Sequence, residues 1–253
     1  MKKIIQLVSV FGVLIGIGLI AFRVGENMPM EYTTFAQETK QQKEENKVAI
    51  ALPNVKTSDW DLVLVNDTHK ASEKAPELEK LSNGYELDKR VAPFWVKLNA
   101  AAEKAGHELQ MVSAYRSPEE QEKIVQENIG LNMSENMSEE EAQEETMKVM
   151  TRPGYSEHNT GLALDVVGVD YYNDHLDNLL VKEYAQDASA KWLALHVSEY
   201  GFILRYPQGA QSITGINFEP WHFRYVGVEN AKYITEHHLT LEEYIELLKG
   251  VGK

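Results

Sequence analysis

The sequence predicts an α+β domain, a small antiparallel sheet flanked by helices, preceded by an N-terminal membrane helix. Three observations carry this expectation. Short β-rich runs and amphipathic helical runs are mixed, without the long regular strand–helix alternation of a doubly wound sheet. The first 23 residues join two lysines to an apolar run of about membrane-spanning length. The 253 residues include no cysteine, so the domain must be held by its own core, with a metal as the available staple, and not by disulfides.

Lys2 and Lys3 precede an apolar run from Ile4 to Phe22, broken only by Gln6, Ser9 and glycines, and Arg23 and Glu26 end it. Residues 1–23 read as an uncleaved anchor. A removed signal peptide is the alternative, but no clear small-x-small site follows and the run is longer than a usual signal core. The paired lysines would stay in the cytoplasm and the rest of the chain would lie outside. Residues 24–51, rich in Glu, Gln, Lys and Thr, read as a flexible polar tether.

The globular domain is expected over 52–253. Trp60 to Asn66 reads as an early strand. Asp88 to Ala105 carries apolar residues at Val91, Phe94, Trp95, Leu98 and Ala102 with Gly106 behind, an amphipathic helix with a glycine stop. Leu109 to Tyr115 reads as a strand. Ser117-Pro118-Glu119-Glu120 is a capped helix start, running to about Asn128. Between 130 and 150, Met133, Met137, Met147 and Met150 lie among six glutamates. This reads as a solvated inserted helix or loop, with a mobile flap carrying methionines to substrate as the sharper alternative. Leu162 to Val169 is a strand, Ala190 to Tyr200 a helix stopped by Gly201, and Phe202 to Tyr206 strand-like. Trp221 to Val226 is a strand, and helices over Val228 to Glu236 and Leu241 to Lys249 close the chain, the last capped by Thr240.

Charge narrows the function. Residues 1–55 hold six Lys/Arg and five Asp/Glu, and residues 56–253 hold 19 and 34. So acidic a domain lacks the clustered basic side chains that nucleic acid or an anionic membrane surface requires.

Two short stretches carry the chemistry. In Ser156-Glu157-His158 through Asp165, Gly154 and Gly161 permit tight turns, so His158 sits on a loop. Asp165 occupies one face of an apolar strand, with Leu164 and Val166 on the other. A carboxylate there is costly unless it is paired or ligates a cation. In Glu219-Pro220-Trp221-His222, proline fixes a bend. Strand alternation sets His222 and Arg224 on one face and Trp221, Phe223 and Tyr225 on the other. Two histidines and an aspartate as ligands, with Glu219 as a spare carboxylate, form the inventory of a catalytic zinc site with an open position for water. Two neutral imidazoles and one carboxylate leave the centre with a net charge near +1, which acidifies the water, and Glu219 would take its proton as general base. Arg116 ends a strand beside a capped helix, placed to stabilise an oxyanion or to grip a substrate carboxylate. Gln121, one turn into that helix, could point the same way. The histidines at 69, 107, 175, 196, 237 and 238 lack comparable company, and His237-His238 reads as an exposed helix end.

Ser113-Ala114-Tyr115-Arg116-Ser117 with Gln121, Ser156-Glu157-His158 through Asp165, and Glu219-Pro220-Trp221-His222 resemble the three signatures of the VanY-type zinc D-alanyl-D-alanine carboxypeptidases, including the related L,D-carboxypeptidases. The resemblance covers residues 52–250 and is specific in both order and spacing. It implies a zinc D,D-peptidase/hedgehog-like α+β fold and one Zn2+ held by His158, Asp165 and His222. Glu219 would be the base, Arg116 would stabilise the tetrahedral intermediate, and Gln121 and Ser156 would hold the terminal D-alanine carboxylate. The implied action is removal of the C-terminal D-alanine from peptidoglycan stem peptides; separately from the resemblance, a monomer is expected. An L,D-carboxypeptidase acting on tetrapeptide stems is the alternative, and a non-catalytic wall-binding module a weaker one.

Overall fold

The site is positioned by a four-stranded antiparallel sheet of order β3-β4-β6-β5. Its strands are β3 (Leu109–Ser113), β4 (Ala163–Gly168), β5 (Phe202–Leu204) and β6 (His222–Tyr225). The computed structural model describes residues 51–253. The expected anchor over 1–23 and nearly all of the tether over 24–51 lie outside the described residues. Among those described, no helix is long and apolar enough to cross a membrane.

The sheet has two unlike faces because its strands alternate. Leu164, Val166, Phe223, Tyr225 and Phe202 face the main core, which they share with Trp95 and Leu98 of helix α1 (Ala92–Lys104) and with Leu193. Leu193 lies on helix α5 (Ala188–His196), between the short helix α4 (Val169–Asp174) and β5. Asp165 and His222 lie on the opposite face, where they pair directly across β4 and β6. A bulge between Met111 and Ser113 shifts the register of β3. Met111 therefore stays in the core while Ser113 pairs with Asp165. Trp221 departs from the expected alternation. It precedes the first residue of β6 and packs with Val167, Tyr171 and Tyr184 instead of with Phe223 and Tyr225.

A second hydrophobic cluster forms beneath the C-terminal helices α7 (Val228–Glu236) and α8 (Leu241–Gly250). It contains Leu62, Ile203, Val226, Ile234, Tyr244, Ile245 and Leu248. Thr240 caps α8 with a reciprocal capping box to Glu243, and Ser117 does the same with Glu120 at the start of α2 (Pro118–Ser134). Each such cap satisfies helix N–H groups that would otherwise lack partners.

The structure differs from expectation at three further places. Trp60 to Asn66 is not a strand: its residues are turns and irregular chain with a single bridge from Asn66 to His69. The carbonyls of Asp61 and Val63, which a ladder would need, accept hydrogen bonds from the Arg224 guanidinium instead. A two-stranded hairpin of β1 (Leu78–Lys80) and β2 (Glu86–Asp88) stands where none was expected. Its Asn83-Gly84 turn, with Gly84 at φ +89°, is a short-range hairpin signal in the sequence. The helix from Pro118 runs six residues beyond Asn128, to Ser134, and a second helix, α3 (Glu139–Met147), folds back on it. Val125, Ile129 and Ala142 form a small core there, and Met137, Met147 and Met150 pack against it. These three methionines are therefore taken up by the insert itself and are not held out towards a substrate. The remaining helix, α6 (Gln211–Thr214), leads towards the second motif.

Candidate metal centre

His158 is delivered by a single tight turn. Ser156 caps the 3-10 turn Glu157–Thr160, its Oγ accepting the His158 N–H at 3.3 Å. Gly161 ends the turn at φ +70°, a conformation that favours glycine. A Cβ at Gly161 would also come within 2.8 Å of the Asp88 backbone nitrogen. Gly161→Ala is therefore expected to cost about 1–3 kcal/mol in urea unfolding and to displace His158, which would show as weaker metal binding.

The His158 ring is fixed by its Nδ1, 2.7 Å from the Ala114 carbonyl. Nδ1 must donate there, which leaves the Nε2 lone pair free. Nε2 stands 3.2 Å from Asp165 Oδ2. His222 comes from the other side. Its N–H donates to the Glu219 carbonyl at 3.2 Å, closing the Glu219-Pro220-Trp221-His222 turn. The turn folds the Glu219 carboxylate back to 3.8 Å from His222 Nδ1. The same Nδ1 is 3.0 Å from Asp165 Oδ1, yet Asp165 Oδ1 is buried without a hydrogen-bond partner. The two atoms stand close without the alignment of a hydrogen bond, and both face a common point.

That arrangement fits a metal. The ligand atoms of His158, Asp165 and His222 lie within 4.8 Å of one another, the one such group found among the described residues. Tetrahedral zinc, with ligands at about 2.0–2.1 Å, sets neighbouring ligand atoms roughly 3.3 Å apart. All three residues and Glu219 are buried.

The electrostatics agree with this use. Burial is the largest single influence at every group, but at Asp165 and His222 the partners together outweigh it. It depresses His158, with Asp165 only partly opposing. It would raise Asp165, but His158 and His222 hold that carboxyl well below the usual range. It would depress His222, but the Asp165 and Glu157 carboxylates beside its two nitrogens lift it to about 9. Burial raises Glu219 to about 8, helped by Asp165 and opposed by His222 and Arg116.

Arg116 lies at the edge of this cluster. Its backbone N–H donates to the His158 carbonyl at 3.1 Å, and its carbonyl accepts from Asn159 Nδ2 at 2.7 Å. Its Nε is buried without a hydrogen-bond partner. Burial lowers the guanidinium from its ordinary value, against the attraction of Asp165, Glu120 and Glu219. Gln121 is buried on α2 with its Nε2 donating to the Thr151 carbonyl at 2.7 Å, while its Oε1 has no partner. Ser156 is buried and engaged as a cap. His237 and His238 are exposed at the end of α7, as expected.

Glu157 was not singled out by the sequence, yet it is fully enclosed beneath the centre. Its Oε1 accepts from Arg205 Nε at 2.7 Å and from Arg224 Nη1 at 2.8 Å, and its Oε2 lies 3.4 Å from His222 Nε2. Arg205 also makes a bidentate pair with Glu242 at 2.9 and 2.6 Å. The signal was available. Arg205 and Arg224 sit in apolar strand runs, and a fully buried guanidinium requires a carboxylate partner.

Two histidines and an aspartate around a common point, with a second buried carboxylate beside them, define a metal-dependent hydrolase. The VanY family, D-alanyl-D-alanine carboxypeptidase, matches residues 84–228. A D-alanyl-D-alanine carboxypeptidase of Enterococcus faecalis (strain ATCC 700802 / V583) is 33% identical over 223 residues, 88% of this chain and 79% of that protein. A vancomycin-resistance D,D-pentapeptidase VanY variant, from a VanB-type cassette and in complex with Zn(II), is 34% identical with a TM-score of 0.65. That match covers 74% of this chain and 99% of that one. The LdcB LD-carboxypeptidase is 32% identical with a TM-score of 0.57, over 72% and 84% of the two chains. The chain belongs to the VanY family of D-alanyl-D-alanine carboxypeptidases.

Proposed function

We propose that this chain is a zinc-dependent carboxypeptidase that removes the terminal D-alanine from peptidoglycan stem peptides, working as a monomer on the outer side of the membrane. The observation that carries it is the convergence of His158, Asp165 and His222 on one point with Glu219 at 3.8 Å from His222. Membership of the family and the zinc-bound relative support the choice of metal. The apolar run from Ile4 to Phe22 supports the placement.

His158 Nε2, Asp165 and His222 Nδ1 would hold the ion. When bound, zinc supplies a Lewis acid that polarises the scissile carbonyl and acidifies water. Glu219 takes the water's proton and passes it to the leaving amine. Arg116 meets the charge that develops on the carbonyl oxygen, in a buried setting where that charge is poorly solvated. Gln121 and Ser156 are the groups assigned to the D-alanine carboxylate; the open Gln121 Oε1 only accepts, so Gln121 reaches that role by turning its Nε2 from the Thr151 carbonyl to the substrate. Ser156 reaches that role only if its hydroxyl serves both cap and substrate.

The specificity reading is D,D, with the D,D-pentapeptidase in its favour at the higher TM-score. Soluble pentapeptide and tetrapeptide stem fragments, incubated with the enzyme and weighed by mass spectrometry, test it. Loss of one alanine from the pentapeptide is expected. Trimming of the tetrapeptide alone would assign the L,D activity, and no release from either would remove the enzymatic reading.

A further inference from the structure

A histidine that ligates a metal through one ring nitrogen must keep its proton on the other, and the group that accepts this proton sets both tautomer and ring plane. His158 has the Ala114 carbonyl for that purpose. No backbone acceptor serves His222 Nε2 among the described hydrogen bonds, and the atom in front of it is Glu157 Oε2.

The way Glu157 divides its oxygens is informative. Both arginines approach Oε1, leaving Oε2 with His222. A carboxylate present only to neutralise a guanidinium would offer both oxygens to it, as Glu242 does to Arg205. We infer that Glu157 is the positioning residue for His222, holding the proton at Nε2 so that Nδ1 presents its lone pair to the ion. The inference rests on the zinc reading above.

The two arginines have a matching purpose. A bare carboxylate behind a ligand would add negative charge to the centre and weaken its Lewis acidity. The formal charges of Glu157, Arg205, Arg224 and Glu242 cancel, so Glu157 orients the ring while the ion keeps the charge set by its own ligands. Arg224 is itself held by the carbonyls of Asp61 and Val63, which keeps the carboxylate from turning away.

Two measurements on the full chain test this, neither reading catalysis. Nitrogen-15 NMR of the zinc-loaded wild type, labelled at histidine, is expected to show His222 metallated at Nδ1 with a protected N–H at Nε2. Competition with a chromophoric chelator is expected to show zinc bound about 10–100-fold more weakly by Glu157→Gln. Glu242→Gln, which disturbs Arg205 without reaching His222, is expected to stay within about threefold of wild type. Metal at Nε2 of His222, zinc held as tightly by Glu157→Gln as by wild type, or equal losses in the two variants would each overturn the role of Glu157 while leaving the zinc enzyme standing. The NMR result decides even if Glu157→Gln does not fold. A wild type that binds no zinc would bring down the functional reading itself.

Discussion

Glu219→Gln is expected to retain stoichiometric zinc and to lose about 10²–10⁴-fold in kcat. The amide fills the same volume, so the buried pocket does not collapse, but it accepts no proton. Glu219 stands 3.8 Å from His222 Nδ1 on the turn that also delivers that ligand. It is thus beside the ion's position without being one of the three converging groups. Burial raises its carboxyl to about 8 in the metal-free protein. A divalent cation nearby would draw that value down and restore the carboxylate needed as a base. The paired measurement is metal content by mass spectrometry and kcat on a pentapeptide stem. Wild-type turnover in the variant would take the proton-transfer role away from Glu219, and lost zinc would make it a ligand.

The second large effect is on metal affinity. Zinc is expected to bind at least about tenfold more tightly for each unit of pH raised between roughly 6 and 8. The sign follows from the ligands. His222 is lifted to about 9, so at neutral pH its Nδ1 carries a proton that must leave before the ion enters. His158 is depressed and Asp165 is held ionised, so neither releases a proton in this range. Affinity is therefore lost as pH falls and levels off only above about 9. Glu219, raised to about 8, adds to the proton release as the ion's field lowers it. Calorimetry in buffers of different ionisation enthalpy counts the protons, and chelator competition gives the slope. A flat affinity across this range would mean that His222 is neutral before the metal arrives.

How far the sequence speaks depends on whether a signal is local. The caps at Ser117 and Thr240 and the limits of the helix from Val228 to Glu236 follow from neighbours three or four residues away, and the structure has them as expected. Strand alternation placed Asp165 opposite Leu164 and Val166, and His222 with Arg224. The convergence of Asp165 on His222 then follows from antiparallel pairing. Trp60 to Asn66 had β-rich composition, but what its backbone bonds to is an arginine 161 to 163 residues away, which no local pattern reports. Glu157 was obscure for the same reason, since its three partners lie 48 to 67 residues along the chain. The insert is helical, as its favoured reading had it, but the packing of its methionines depends on α3 folding back against α2, which no local pattern reports. The hairpin at Asn83-Gly84 had a local signal in that Asn-Gly pair, but it was not among the expected elements.

The insert's small private core has a consequence for how such a chain can change over time. Its feet are tied to the centre's surroundings: Gln121 grips the Thr151 carbonyl, and the Asn217 N–H donates to the Lys148 carbonyl just ahead of Glu219. Its tip, around Asn136 at φ +71°, touches neither tie. Mutational drift, in length or in charge, can therefore accumulate at the tip under weak constraint, while the same changes at the feet would be selected against together with the chemistry.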